Sequence, residues 1–431
     1  MQLSRLFVSN ILWRGTYLIT SLLVNVLMAR YLEASITGEL MYFVSLLTFI
    51  FMAISLSLES ALVFFSASKK ITDAKLFTFC FFWMLIALLI LSPFMMFHFK
   101  GQKNAAGSTS LSLYLYGGLF IVGNLLITYF SSFFYAKHEN KIPNFVFIIV
   151  NAGLIVFLIT RLLRNDDFGM KDDFIRIYFI SFFLQGLLCV MLFAIFHRSS
   201  FKICFPQKAE VILIIKYSLL AFAANLLAFL LTRIDYWFIE NIVKDNEDLG
   251  NYIQASRLVQ LFQLLPVILA STIFPAVSSG LQADMIAVIQ ILSRLLFWVY
   301  CIVVLLVALT GKWLFLFLFG VTFSKMHTVF LILGPGLLAT TIMALICSYL
   351  AAINKVSRNV WVAVAGLLLI IPADILVVPV WGIYGAAWVS SAGYIISCLT
   401  AFYFLRKESK VNMLDFILIK SDDFKLLRKK I

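Results

Sequence analysis

Long apolar segments recur along the whole chain and dominate its sequence. Each is about 20 residues long, which is what a helix needs to cross a bilayer core about 30 Å thick. They number about twelve and lie at roughly 7–28, 40–65, 76–98, 111–135, 144–160, 174–196, 211–239, 251–279, 291–310, 329–352, 360–380 and 383–405. Because lipid offers no partners to backbone amides, we expect helices. The predicted fold class is an all-α integral membrane protein with about twelve transmembrane helices.

Composition excludes a soluble domain. Of the 431 residues, 63% are hydrophobic and 13% are charged, and the mean hydropathy is +1.01. Soluble domains average roughly 45–50% apolar and about 25% charged residues, so this chain has too few charges to build a water-facing surface. The abundance of apolar residues also excludes a disordered chain.

An excess of Lys and Arg gives the chain a net charge of +13. Basic residues concentrate in the cytoplasmic loops of membrane proteins, so we interpret this excess as a topology signal and expect no nucleic-acid partner. Placing both termini in the cytoplasm puts roughly twice as many basic residues inside as outside. The C-terminal tail, 406–431, contains both apolar and basic residues, which predicts an amphipathic segment on the anionic lipids of the inner leaflet. The alternative is that this tail is solvated and its positive charge only helps to orient the chain in the membrane.

The six cysteines carry no metal or disulfide signature. No two have the spacing Cys-x-x-Cys, and five lie inside apolar segments, where cysteine is a small core residue. The sequence also lacks a nucleotide-binding P-loop and a zinc-protease motif. We therefore expect no metal site and no cofactor, and any work that the protein does has to be driven by an ion gradient or by the gradient of its own substrate.

The two halves of the chain are related by an internal repeat. Gly38 and Gly250 each open an apolar segment, and Asn144 and Asn359 lie at the start of two others. Six segments per half give both halves the same orientation, as in transporters whose substrate site lies between two parallel repeats. The predicted organisation is an N-terminal six-helix lobe at 1–200, a C-terminal six-helix lobe at 201–405 and a basic cytoplasmic tail at 406–431.

Ionisable residues inside membrane segments are rare and mark functional positions. The cations are candidates for a substrate path, because a cationic cavity attracts an anionic substrate; they are Arg14, Lys216, Arg233, Arg257 and Arg294. The acids are candidates for ion coupling; they are Asp374, Asp235 and Glu59. Alternatives remain open. Cations near segment ends can extend to lipid headgroups, and the acids can be structural partners of neighbouring helices.

Four groups of residues resemble one known family in their order and spacing. They are Ala29–Leu32 with Gly38; Asp235 with Gly250–Tyr252, Ala255 and Pro275; Phe317–Gly320 with Phe323; and Pro379, Gly382, Ile383, Gly385–Ala387 and Tyr394. They resemble the polysaccharide transporters of the multidrug/oligosaccharidyl-lipid/polysaccharide (MOP) superfamily, specifically the O-antigen flippases of the Wzx type. Glu33 stands where the family's first segment has a glycine.

The resemblance implies a function in polysaccharide and lipopolysaccharide biosynthesis. The implied activity flips an undecaprenyl-pyrophosphate-linked oligosaccharide, the O-antigen repeat unit, from cytoplasm to periplasm by alternating access across the bacterial inner membrane. It implies a transporter without enzymatic activity. Candidate partners are a polysaccharide polymerase and chain-length proteins, and coupling to H⁺, to Na⁺ or to no ion stays open.

Two other classes of membrane protein have a similar number of membrane-spanning segments. A membrane-embedded polymerase or glycosyltransferase typically carries a sizeable periplasmic loop, whereas the longest loops predicted here are short. A multidrug antiporter of the same superfamily often takes cationic substrates, which a cationic cavity disfavours. Both remain alternatives to the flippase.

Overall fold

The computed structural model describes residues 2–98, 110–137, 139–164, 171–198, 200–278, 282–409 and 411–418. These residues are almost entirely helical, and no strand occurs among them. The helices are α1 (Gln2–Ser55), α2 (Leu58–Ala67), α3 (Asp73–His98), α4 (Ser110–Ala136), α5 (Lys141–Arg164), α6 (Lys171–Phe196), α7 (Lys208–Phe238), α8 (Asn246–Phe262), α9 (Leu264–Ser278), α10 (Gln282–Phe319), α11 (Met326–Ala352) and α12 (Val356–Glu408). A π-helical turn at Ile239–Val243 follows α7.

Nine helices within the described ranges are long and apolar enough to cross a membrane. Two of them, α1 and α12, contain 54 and 53 residues, or about 80 Å of helix, which is more than one crossing can use. Each is interrupted where two predicted segments meet, at Glu33 in α1 and at Gly382 in α12. The predicted fold class, an all-α protein with many membrane-spanning helices, is confirmed.

The chain divides into two compact units, Met1–Asn225 and Leu226–Ile431. In the first unit α4 packs against α6, and α1 packs against α5. In the second unit α11 packs against α12 and α9. The lobe boundary predicted at 200/201 stays a prediction.

Two interruptions of the helices support the internal repeat. Glu33 has φ 66° and lies between the first two predicted segments, and Lys244 has φ 57° and lies between the seventh and eighth. These residues are separated by about half the chain, as Gly38 and Gly250 are. The halves therefore repeat the position of a turn as well as individual residues.

The second predicted segment is broken in the middle. Leu56 and Ser57 have φ values of 46° and 52°, and α2 begins immediately after them. The carbonyl of Ile54 accepts a hydrogen bond of 2.8 Å from the Trp83 indole, and Asn225 donates one of 3.0 Å to the Ser57 hydroxyl. The Trp83 indole thus satisfies a backbone carbonyl beside the break, and Asn225 holds the side chain of a residue in it.

The turn at Glu33 holds its backbone in a strained conformation. Its φ of 66° and ψ of 172° lie in a region that glycine alone adopts easily, at a cost to other residues of about 1–3 kcal/mol. The half-exposed Glu33 carboxylate forms an ion pair of 3.2 Å with Lys171. A pair with one exposed partner contributes at most about 1 kcal/mol.

We expect Glu33→Gly to be more stable than Glu33→Ala by about 1–3 kcal/mol, because both variants lose the ion pair and only alanine keeps the strained Cβ. Thermal unfolding in detergent measures the difference. An alanine variant as stable as the glycine variant would show that the turn stores no strain.

In the second unit, a hairpin inside α12 brings two parts of the same helix together. Gly382, with φ 56° and ψ −138°, makes the turn. Before and after it, Gly366 and Gly393 face each other so closely that a Cβ on Gly366 would lie 3.1 Å from the Gly393 carbonyl oxygen. This close approach packs the two arms of the hairpin directly against each other.

The C-terminal segment 411–418 folds back onto the second unit. The backbone carbonyl of Asp415 accepts a hydrogen bond from Arg294, and that of Ile417 accepts one of 2.9 Å from the Trp298 indole. Phe416 is 1% exposed and packs on Phe402 with 5.7 Å between ring centroids. The rest of the predicted amphipathic tail, 419–431, lies outside the described residues.

Phe416→Ala is expected to destabilise the protein by about 3 kcal/mol, at the low end of the range for Phe truncation in a core. Leu414→Ala is the matched control, because Leu414 is in the same short turn and is 63% exposed. Melting temperatures of the two variants test this. Equal effects would mean that the segment is not anchored by Phe416.

Candidate functional site

Asp235, near the end of α7, is the centre of a buried hydrogen-bond network. The carboxylate is 2% exposed. Its Oδ2 accepts from the Tyr252 hydroxyl of α8, and from the Ser390 hydroxyl of α12 at 2.9 Å. Its Oδ1 accepts from the backbone N–H of Tyr236 at 3.0 Å. These donors stabilise a negative charge on Asp235 away from water.

Asp374, on the first arm of the α12 hairpin, has the opposite environment. It is fully buried, and neither carboxylate oxygen has a hydrogen-bond partner in the described part of the chain. It is close enough to Asp235 for the two carboxylates to interact electrostatically. A buried carboxylate without donors is stable only when a proton or a bound cation neutralises it.

The surroundings of the two acids combine a polar layer with an apolar wall. Tyr236 donates a hydrogen bond of 3.0 Å to Ser256, and its ring meets that of Tyr252 edge-on at 6.0 Å. The buried apolar residues packed around this region are Leu231, Leu367, Ile370 and Val389. The site therefore offers oxygen ligands in a low-dielectric setting, which is what selective binding of a proton or a small cation requires.

The third acidic candidate lies in the first unit. Glu59 is in the first turn of α2, directly after the helix break, and its Oε2 is buried without a hydrogen-bond partner in the described ranges. Electrostatic interactions place it near Cys80 and Tyr129. The structure thus places Asp374 within electrostatic reach of Asp235 in the second unit, whereas Glu59 belongs to the first.

The cationic candidates have different surroundings in the two units. In the first unit, Arg14 on α1 and Lys216 on α7 are exposed, and neither forms an ion pair with an acid among the described residues. In the second unit, Arg233 stacks on Phe229 at 5.2 Å, and Arg257 is half-buried. Arg294 is buried, where it binds the C-terminal segment described above.

The sequence did not identify Ser390 as a site residue, and it assigned no role to Tyr252. Ser390 occurs in a run of small residues that we interpreted as helix packing, and Tyr252 entered only as part of a family pattern. Neither is near Asp235 in the sequence, since the α12 hairpin and the α7–α8 turn bring them together. A hydroxyl in an otherwise apolar run is the only signal that could have pointed to Ser390.

The sequence matches no protein-family model and no curated protein sequence. Several solved structures match over nearly the whole chain. One is an inward-facing multidrug resistance MATE family transporter of the MOP superfamily, with a TM-score of 0.70, 13% identity and coverage of 90% of this chain and 94% of that one. The chain shares the fold of these transporter structures.

Two further structures support this assignment of the fold. The lipid II flippase MurJ in an inward closed conformation matches with a TM-score of 0.65 and 16% identity, covering 98% of this chain and 90% of that one. The Vibrio cholerae MATE transporter VcmN in its bent form matches with a TM-score of 0.61 and 14% identity, covering 99% and 98%. At these identities the similarity concerns the fold.

Proposed function

We propose that this chain is a flippase that moves an undecaprenyl-pyrophosphate-linked oligosaccharide, the O-antigen repeat unit, across the bacterial inner membrane by alternating access, with both termini in the cytoplasm. It acts as a transporter and not as an enzyme. The observation that carries the proposal concerns Arg14 and Lys216. Both are exposed cations in apolar helices, and neither has an acidic partner in the described chain.

An unpaired cation in a membrane helix is unfavourable unless its surroundings stabilise the charge. A Lys or Arg at the centre of such a helix costs about 2.5–3.5 kcal/mol on insertion. That cost is offset where the side chain faces a hydrated cavity that receives an anionic ligand. A pyrophosphate headgroup is such a ligand, and the proposal is supported by the similar fold of MurJ, which is a lipid II flippase.

The buried pair Asp235 and Asp374 supports ion coupling. Asp235 has three donors and can hold its charge, whereas Asp374 has no donor among the described residues and requires a counterion. We propose that the pair binds H⁺ or Na⁺ and releases it during the transport cycle, so that the ion gradient drives conformational change. Glu59 is a further candidate for the same role in the first unit.

Multidrug export is the second candidate function. The observation that favours it is Asp374 itself, because a buried carboxylate with no hydrogen-bond partner in the described ranges also suits a cationic organic substrate. The two functions differ in the charge of the cargo, so they predict opposite phenotypes.

Deletion of the gene from its host distinguishes them. The flippase proposal predicts loss of surface polysaccharide and accumulation of lipid-linked repeat units on the cytoplasmic side, both restored by the wild-type gene. Unchanged polysaccharide with increased sensitivity to cationic drugs would contradict the flippase proposal and support the multidrug transporter.

A further inference from the structure

The first unit contains an apolar cavity of about 360 Å³. Its walls are the first three turns of α3, the last turns of α4 and α6, and the connection between α6 and α7. Six of the residues that line it are Phe77, Phe81, Phe130, Phe133, Phe201 and Ile203. The cavity is partly open, and Phe81, Phe201 and Ile203 are exposed at its edge.

Specific contacts hold the connection between α6 and α7 in place as a wall of this cavity. The backbone N–H of Cys204 donates a hydrogen bond of 2.8 Å to the Thr78 hydroxyl on α3. The rings of Phe77 and Phe201 lie 4.6 Å apart. The cavity is therefore bounded by packed residues on all the elements that form it, and its lining contains almost no polar surface.

Three exposed cations lie on this connection or at the first residue of α7: Arg198, Lys202 and Lys208. None of them forms an ion pair within the described residues. Nearby cations are paired: Lys75 contacts Glu210 at 2.8 Å, and Lys137 contacts Asp73 at 2.8 Å. Lys202 lies between Phe201 and Ile203 in the sequence, so a positive charge adjoins the edge of the cavity.

We propose that this cavity is a binding site for an anionic membrane phospholipid, with one acyl chain in the cavity and the phosphate at Lys202 and its basic neighbours. An apolar cavity of 150 Å³ holds one benzene ring, so this one has room for roughly a dozen carbon atoms, or most of an acyl chain. Unpaired cations at a membrane surface select anionic headgroups. This site is independent of the proposed transport cargo.

The bound lipid holds the connection between α6 and α7 in place. This connection is the covalent link from the first six helices to the seventh. An acyl chain bound between α3, α4 and α6 supplies van der Waals contacts that the lining residues of an empty apolar cavity lack. We expect anionic phospholipid to raise the thermal stability of the purified protein more than zwitterionic phospholipid does.

Phosphatidylglycerol with a photoactivatable group in its acyl chain tests the site on the full-length protein in nanodiscs. Peptide mapping is expected to find label on α3 near Phe81 and on the connection near Phe201. Unlabelled phosphatidylglycerol should compete, and phosphatidylcholine should compete at least ten-fold more weakly, since each basic residue contributes about a five-fold preference.

Two variants separate the acyl chain from the headgroup. Val190→Trp fills the cavity and should remove the label, whereas Ile195→Trp, an exposed position on the same helix outside the lining, should keep it. Lys202→Gln should lower the preference for phosphatidylglycerol about five-fold, and the exposed Lys312→Gln in the second unit should leave it unchanged.

The proposal fails if the label is spread evenly over lipid-facing helices, or if Lys202→Gln retains the full headgroup preference. Stronger competition by undecaprenyl phosphate than by phosphatidylglycerol would also overturn it, because the site would then belong to a carrier lipid. If Val190→Trp does not fold, the competition series and Lys202→Gln still decide the outcome.

Discussion

Asp374→Asn is expected to abolish ion-dependent transport while leaving the protein at least as stable as the wild type. Asparagine has nearly the same shape and carries no charge, so it removes the carboxylate that needs a counterion and leaves the packing intact. Because neither oxygen of Asp374 has a hydrogen-bond partner in the described chain, the substitution breaks no contact there. Stability and activity should therefore change independently.

Cargo transport with and without an ion gradient, together with the melting temperature, tests this expectation. Asp235→Ala provides the contrast, because it removes the shared acceptor of the buried Tyr252 and Ser390 hydroxyls, which lie 3.3 Å apart and can then pair only with each other. It should destabilise the protein by about 1–3 kcal/mol. Glu247→Gln, at an exposed acid in the same unit, is the control. An Asp374→Asn protein with normal ion-dependent transport would remove Asp374 from the coupling mechanism.

Glu substitutions at Arg14 and Lys216 should reduce transport to near the background, and Ala substitutions should reduce it at least ten-fold, the size expected for losing a contact with a charged group. A negative charge repels pyrophosphate in a partly desolvated site. Lys216→Arg and Arg14→Lys should retain much of the activity, since a mobile cargo in a hydrated cavity requires attraction more than one fixed geometry.

The readout is surface polysaccharide per molecule of inserted protein. Lys312→Glu controls for insertion, because Lys312 is also an exposed cation in an apolar helix. If Arg14 and Lys216 only extend to headgroups, their Ala variants will be mild and their Glu variants will insert poorly. Normal insertion and normal polysaccharide in the Glu variants would show that these charges serve topology alone.

Much of the fold follows from the sequence because membrane helices are set by local apolar length. The predicted segments leave a break around Glu33 and another around Gly382, and glycine favours a turn at Gly382, but the residue type at Glu33 gives no sign of a positive φ. The break at Leu56 and Ser57 was not predictable, because its polar groups are satisfied by Trp83 and Asn225 from other helices.

The candidate site was predictable only in part. The two acids, Asp235 and Asp374, were found because charges are rare in apolar segments. Their different environments depend on long-range packing by the α12 hairpin, which provides Ser390 to one acid and no donor to the other. Arg294 shows the same limit, since its contact with the C-terminal segment cannot be deduced from spacing.

The claim that this protein flips a pyrophosphate-linked oligosaccharide is tested most directly in proteoliposomes. Purified protein is reconstituted with a fluorescent undecaprenyl-pyrophosphate oligosaccharide, and a membrane-impermeant reagent measures the fraction of label in the outer leaflet over time. We predict an ion-gradient-dependent redistribution that Asp374→Asn and Lys216→Glu abolish. Redistribution no faster than in protein-free liposomes, together with gradient-driven movement of a cationic dye, would contradict the proposed function.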